Sequence, residues 1–235
     1  MKILAFDGTA KAASVALCDD SKTLASYTVD NGLTQSELLL PMAESVLKSL
    51  KLEFSDVDVF ATSVGPGSFT GVRIGVSLIK GLAFGRNVPC VAVSTLEALA
   101  ENLAPLSGIL VPCMDARRNQ VYSATFRCDG KNTERLTPDR AIALDELAKE
   151  LLEYDEPIYL SGDGYGVAKA ALEKAGVKIS ETPTILINEN AESVARVALR
   201  KYESGEFVSD TEFSPTYLRL PQAERERLER QGEKV

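Results

Sequence analysis

The chain has 235 residues, 45% of them hydrophobic and 26% charged, which is enough apolar material for one large core or two modest ones. A formal charge of −8 and an isoelectric point near 4.8 argue against direct binding of a polyanion, because phosphate recognition relies on clustered Lys and Arg. No histidine is present, so Ser-His-Asp and Cys-His catalysis and histidine-ligated metals are excluded, and the scattered Cys18, Cys90, Cys113 and Cys128 form no CxxC pair.

The first element is the apolar run Lys2 to Phe6, with no charged leader before it, and no later run is long enough to span a membrane. A cytoplasmic protein with no membrane partner is expected. The run ends in Asp7-Gly8-Thr9, and Ser14 to Leu17 resumes a strand pattern, so a β-hairpin with an acidic turn is predicted. A helix follows over Thr34 to Leu50, opened by a Thr34/Glu37 capping box. Leu38, Leu39, Leu40, Met42, Ala43, Val46, Leu47 and Leu50 wrap most of its circumference, too wide a stripe for one sheet contact. Either a second lobe or a partner covers the surplus. Pro41 is expected to kink this helix or delay its start.

The strand Val57 to Val64 leads into Gly65-Pro66-Gly67-Ser68-Phe69-Thr70-Gly71. A glycine-rich turn between strand and helix invites a phosphate reading. The spacing fails both standard tests: Gly65 and Gly71 are one residue too far apart for a Walker loop with no Lys-Ser or Lys-Thr after them, and Thr70 stands where a dinucleotide loop needs its third glycine. A tight turn with close helix packing fits better. The helix predicted over Gly71 to Gly85 carries Gly75 and Gly81 inside, each costing about 1 kcal/mol against alanine, so a tightly packed neighbour is expected. The strand Val88 to Val93 and a helix from about Thr95 complete this half.

The second half opens in the same way. Gly108 to Met114 is an apolar run ending in Asp115-Ala116-Arg117-Arg118-Asn119, followed by the alternating strand Val121 to Phe126. The recurrence is a weak internal repeat. A helix over Leu144 to Glu153, a strand over Ile158 to Ser161, the turn Gly162-Asp163-Gly164, and helices over Val167 to Ala175 and Ala191 to Glu203 continue the α/β alternation. Two lobes that each begin with strand, acidic turn and returning strand suggest an actin-like ATPase (ASKHA) fold of two ribonuclease-H-like lobes. The expected division is 1–103, 104–220 and a charged tail over 221–235. Asp7 and Asp115 at strand ends could hold magnesium or a phosphate, although an Asp in a hairpin turn is more often a turn residue. Asp7, Thr9, Gly65, Gly67 and Ser68 are the nucleotide-proximal candidates.

Several segments together resemble one family. Ile3-Leu4-Ala5-Phe6-Asp7, Gln35-Ser36-Glu37-Leu38-Leu39-Leu40-Pro41, the glycine loop continued through Val72-Arg73-Ile74-Gly75, Met114-Asp115-Ala116-Arg117-Arg118 and Pro215-Thr216-Tyr217-Leu218-Arg219 are similar to TsaB (YeaZ), a subunit that works with TsaD and the ATPase TsaE in making threonylcarbamoyladenosine on tRNA. TsaD, the catalytic paralogue, carries His-Leu-Glu-Gly-His, whose histidines hold its metal; this chain has Thr95-Leu96-Glu97-Ala98-Leu99 there, and neither threonine nor leucine replaces imidazole. The resemblance implies a non-catalytic subunit, without cofactor or metal, that pairs with TsaD through its two N-terminal-lobe helices, or with a second copy of itself as a homodimer when TsaD is absent. TsaE would join in a ternary complex and tRNA would be met only indirectly. The expected interface is Leu38, Leu39, Met42, Val46, Val72, Gly75, Ile79 and Leu82. The rival reading is an ATP-binding enzyme of the actin-like type with its own weak nucleotide site.

Overall fold

A computed structural model describes residues 1–219, so the tail expected over 221–235 lies outside the described residues. β1 (Ile3–Asp7) and β2 (Ala13–Cys18) are buried along their whole length and pair antiparallel from Ile3↔Cys18 to Asp7↔Ser14, the predicted hairpin. β3 (Thr23–Val29) extends it as a half-exposed edge. α1 (Gln35–Ser49) crosses over to β4 (Val59–Ser63), which lies parallel to β1. α1 begins six residues ahead of Pro41 and runs past it, so the proline does not delay the start. α2 (Phe69–Ala83) begins two residues earlier than predicted, because the Ser68 hydroxyl accepts the Gly71 N–H and caps it. β5 (Cys90–Val93) and α3 (Thr95–Leu103) follow, and the first sheet has the order β3-β2-β1-β4-β5.

The second sheet is built on β6 (Ser107–Asp115). The single strand predicted from Val121 to Phe126 is divided into β7 (Gln120–Ser123) and β8 (Phe126–Asp129), yet the register on β6 runs straight through, from Leu110↔Phe126 to Cys113↔Ser123. The gap faces Pro112, which has no N–H to give to the ladder. Across it the Thr125 carbonyl accepts instead from the N–H groups of Leu136 and Thr137, at 2.8 and 3.2 Å. β9 (Thr133–Arg135) then pairs with β8, and β10 (Arg140–Ala143) with β7. α4 (Leu144–Leu151) leads towards β11 (Ile158–Ser161), parallel to β6, and α5 (Tyr165–Lys174) follows. The order hairpin partners, β6, β11 repeats the order β3-β2-β1-β4, so the strand topology of the first half recurs in the second. The fold is the two-lobed, ribonuclease-H-like architecture of the actin-like ATPases.

Both faces of the first sheet are covered, which explains why its strands read as continuous apolar runs rather than alternating ones. Leu4, Phe6, Val15 and Leu17 pack against α1 and α2 on one face. Ile3, Ala5, Ala16, Val59 and Ala61 pack on the other against Ala191, Val194, Ala195, Val197 and Ala198. Those five alanines and valines belong to α6 (Ala191–Glu203). α6 follows the second sheet in the chain but lies on the first.

Candidate functional site

The glycine loop is a seam between backbones. A Cβ on Gly71 would stand 1.9 Å from the Gly8 carbonyl oxygen, one on Gly67 2.6 Å from that of Thr9, and one on Gly65 2.6 Å from that of Thr216. The Ser68 N–H, which a phosphate cradle would need, already donates to the Thr9 carbonyl at 2.7 Å. Inside α2, Gly75 lies against Thr62, where a Cβ would come 2.9 Å from the hydroxyl oxygen. Close packing therefore accounts for Gly65, Gly67, Gly71 and Gly75. Gly81 differs: it is exposed, and a Cβ there would meet nothing within 4 Å among the described residues.

Asp7 is buried and anchors its turn, accepting from the Thr9 N–H at 2.9 Å, the Thr9 hydroxyl at 2.7 Å and the Ser63 hydroxyl at 2.5 Å. Burial raises its pKa above the usual carboxylate value, with those hydrogen bonds opposing the shift. Asp115 pairs with Arg117 at 3.1 Å and takes the Arg117 N–H at 2.8 Å, while its own N–H donates to Asp163. Burial, with Asp115 nearby, raises Asp163. Glu189, which the sequence did not single out, accepts the Asp163 N–H at 3.1 Å and is pushed up to about 8 by burial and by the charges of Asp7 and Asp163. Among the described residues no three His, Cys, Asp or Glu side chains converge as metal ligands. Thr95 and Leu99 are fully buried, the Thr95 N–H donates to the Gly65 carbonyl, and the Thr95 hydroxyl has no partner; that turn of α3 is core.

Between the lobes lies a cleft of about 440 Å³, lined by Thr9, Lys11, Gly65, Gly67, Ser68, Asp115, Arg117, Tyr122, Asp163 and the segment Thr216 to Arg219. It gathers Thr9 and the glycine loop as expected but leaves Asp7 beneath the floor. The segment across its mouth is fixed at several points. Phe213 is buried in the first core, Lys80 donates to the carbonyls of Thr211 and Phe213, and the Thr216 N–H donates to that of Val64. Tyr217 then meets the Phe69 ring at a tilt, with centroids 5.1 Å apart, and Arg219 reaches the second lobe, donating to Gln120 at 2.5 Å and lying over Tyr122. On the facing hairpin, Arg117, Arg118 and Asn119 are three consecutive non-glycine residues in left-handed backbone, with φ of 63°, 53° and 60°. For the two arginines this costs about 1–2 kcal/mol each relative to an ordinary conformation, whereas asparagine tolerates it better. The turn is held by Ala116 N–H to Gln120 O, Gln120 N–H to Arg117 O and Leu144 N–H to Asn119 O.

The helix pair turns most of the residues expected at an interface inward. Leu39, Met42, Val46, Val72, Gly75 and Ile79 are buried in the chain's own core, against the first sheet and each other, so the wide apolar stripe is largely used internally. Leu38 and Leu82 alone of the eight remain half-exposed. The outward face of α2 carries Ile74, Leu78 and Leu82 in a row, half-buried, beside exposed Arg73, Ser77 and Gly81.

Comparison with known proteins gives one consistent result. Residues 34–227 match the family model described as TsaD, tRNA N6-adenosine threonylcarbamoyltransferase. The chain is 32% identical to the tRNA threonylcarbamoyladenosine biosynthesis protein TsaB of Bacillus subtilis (strain 168), over 98% of this chain and 100% of that one. It is 28% identical to the TsaB of Escherichia coli (strain K12), over 93% and 95%. Its structure is similar to that of YeaZ from Pseudomonas aeruginosa, with a TM-score of 0.76 at 26% identity, covering 92% of this chain and 99% of that one.

Proposed function

The chain belongs to the TsaB family, and on that premise we propose that it serves tRNA threonylcarbamoyladenosine biosynthesis as a non-catalytic cytoplasmic subunit, pairing with and activating the threonylcarbamoyltransferase TsaD. The observation that carries the reading is the outward face of α2. Ile74, Leu78 and Leu82 form an apolar row at helical spacing, flanked by Ser77 and by Gly81, whose cost inside a helix no packing among the described residues offsets. Small residues beside an apolar row let a second helix approach closely, and Leu38 of α1 is likewise half-buried at the edge of the same core. TsaE would join this pair, and a second copy of the chain would take the same face when TsaD is absent.

Thr95 and Leu99 are buried core residues that offer no imidazole, which supports the non-catalytic reading. The test is threonylcarbamoyladenosine formation on tRNA by the purified companion proteins, read by mass spectrometry of digested nucleosides. Product only when this chain is added, with Asp115→Ala still active, is the expected result; equal product without the chain overturns the reading. The cleft keeps an ATP-binding enzyme as a second reading. Titration calorimetry with Mg-ATP decides it, and the Ser68 N–H already taken by Thr9 argues for no heat.

A further inference from the structure

A net charge of −8 conceals a local concentration of cations. Lys11, Arg117 and Arg219 line the cleft between the lobes. Arg118 follows Arg117 on the same exposed turn, and Arg73 lies over the Phe69 ring at 4.9 Å. Phe69 and Tyr217, in tilted contact with one another at the same rim, are 38% and 43% exposed. Among the described residues only Arg117 of these five cations is paired with an acid, Asp115. Arg219 donates to the neutral Gln120.

The turn that presents Arg117 and Arg118 makes the cluster hard to explain as surface solvation. Left-handed backbone suits Gly or Asn, and only its third position, Asn119, has such a residue. The first two hold arginines in a conformation that disfavours them, so turn chemistry does not account for their presence. Guanidinium and ammonium groups interleaved with accessible aromatic rings match a sugar-phosphate backbone carrying an unpaired base: charge for the phosphates, a ring platform for the base. The net acidity of the rest of the chain favours approach of a polyanion at this rim over approach elsewhere.

We propose that the cleft rim, through Lys11, Arg117, Arg118 and Arg219, contacts the tRNA backbone directly, with Phe69 and Tyr217 stacking on an unpaired base. This rests on the pathway reading above and revises the expectation that RNA is met only through the partner.

The test uses the assembled complex of this chain with its companion transferase and a fluorescently labelled tRNA, with the binding constant measured over a KCl series. Arg117→Asn combined with Arg118→Asn removes two charges while keeping residues that tolerate the left-handed turn. The slope of log K against log salt is expected to become shallower by about 1.4–1.8, two phosphate contacts at 0.7–0.9 each. Lys22→Ala with Lys131→Ala, exposed on turns at the far ends of the two sheets, removes the same charge and should leave the slope unchanged. An unchanged slope in the arginine pair, or an equal loss in the lysine pair, overturns the proposal. So does loss of complex assembly on size exclusion, which would assign the rim to an acidic protein surface. Failure of the wild-type chain to support product is a separate result and falls on the pathway reading instead.

Discussion

At the scale of single residues, Glu189 makes stability depend on pH. Its carboxyl sits near 4.5 in an unfolded chain and at about 8 when folded. Below 4.5 both states hold the proton and there is no effect. Between those values the folded protein keeps a proton that the unfolded chain has released, so stability falls as pH rises, by up to about 1.4 kcal/mol per pH unit, and levels off above 8. Glu189→Gln can still accept the Asp163 N–H but cannot ionise. Urea denaturation at several pH values should show a shallower fall for this variant, with a remainder from Asp7 and Asp163, which are raised in the same direction. An identical slope would mean that Glu189 ionises normally in the fold. Gly71→Ala tests the seam: a methyl 1.9 Å from the Gly8 oxygen forces the backbone apart, and a loss of about 1–3 kcal/mol is expected in the same assay.

At the scale of elements, adjacent residues on α2 should behave oppositely. Ile79 is fully buried, so Ile79→Glu leaves an unpaired charge in the core and should prevent folding, as judged by circular dichroism. Leu78 is half-buried on the outward face, and Leu78→Glu should leave a folded monomer that no longer co-elutes with TsaD. Retained co-elution would remove α2 from the interface. Most helices and strands were legible from periodicity, as was the hairpin at each lobe's start. The orientation of α1 and α2 was not, because a stripe that covers most of a helix does not say which part meets its own sheet. The gradient from buried Leu39 and Ile79 to half-exposed Leu38 and Leu78 exists only once the sheet is in place. β3 escaped because Thr23 to Val29 is a partly exposed edge with a mixed face. Glu189 escaped for a related reason: its neighbours Asp7 and Asp163 are remote in sequence, and only the fold brings them to it.

At the scale of the whole molecule, Phe213 to Arg219 is a strap from the first core to the second lobe's hairpin. Arg219→Ala removes its far attachment, and amide exchange in residues 115–123 should quicken while α2 stays protected; unchanged exchange there would show that the lobes are held by other contacts. The position of α6 has a further consequence, for synthesis. When the ribosome has made the first sheet, the face carrying Ile3, Ala5, Val59 and Ala61 has no cover, because its cover is about a hundred residues from being translated. A nascent chain halted near residue 110 should therefore be sticky and protease-sensitive, and the amino-terminal half should need its far end, or a chaperone, before it can be soluble.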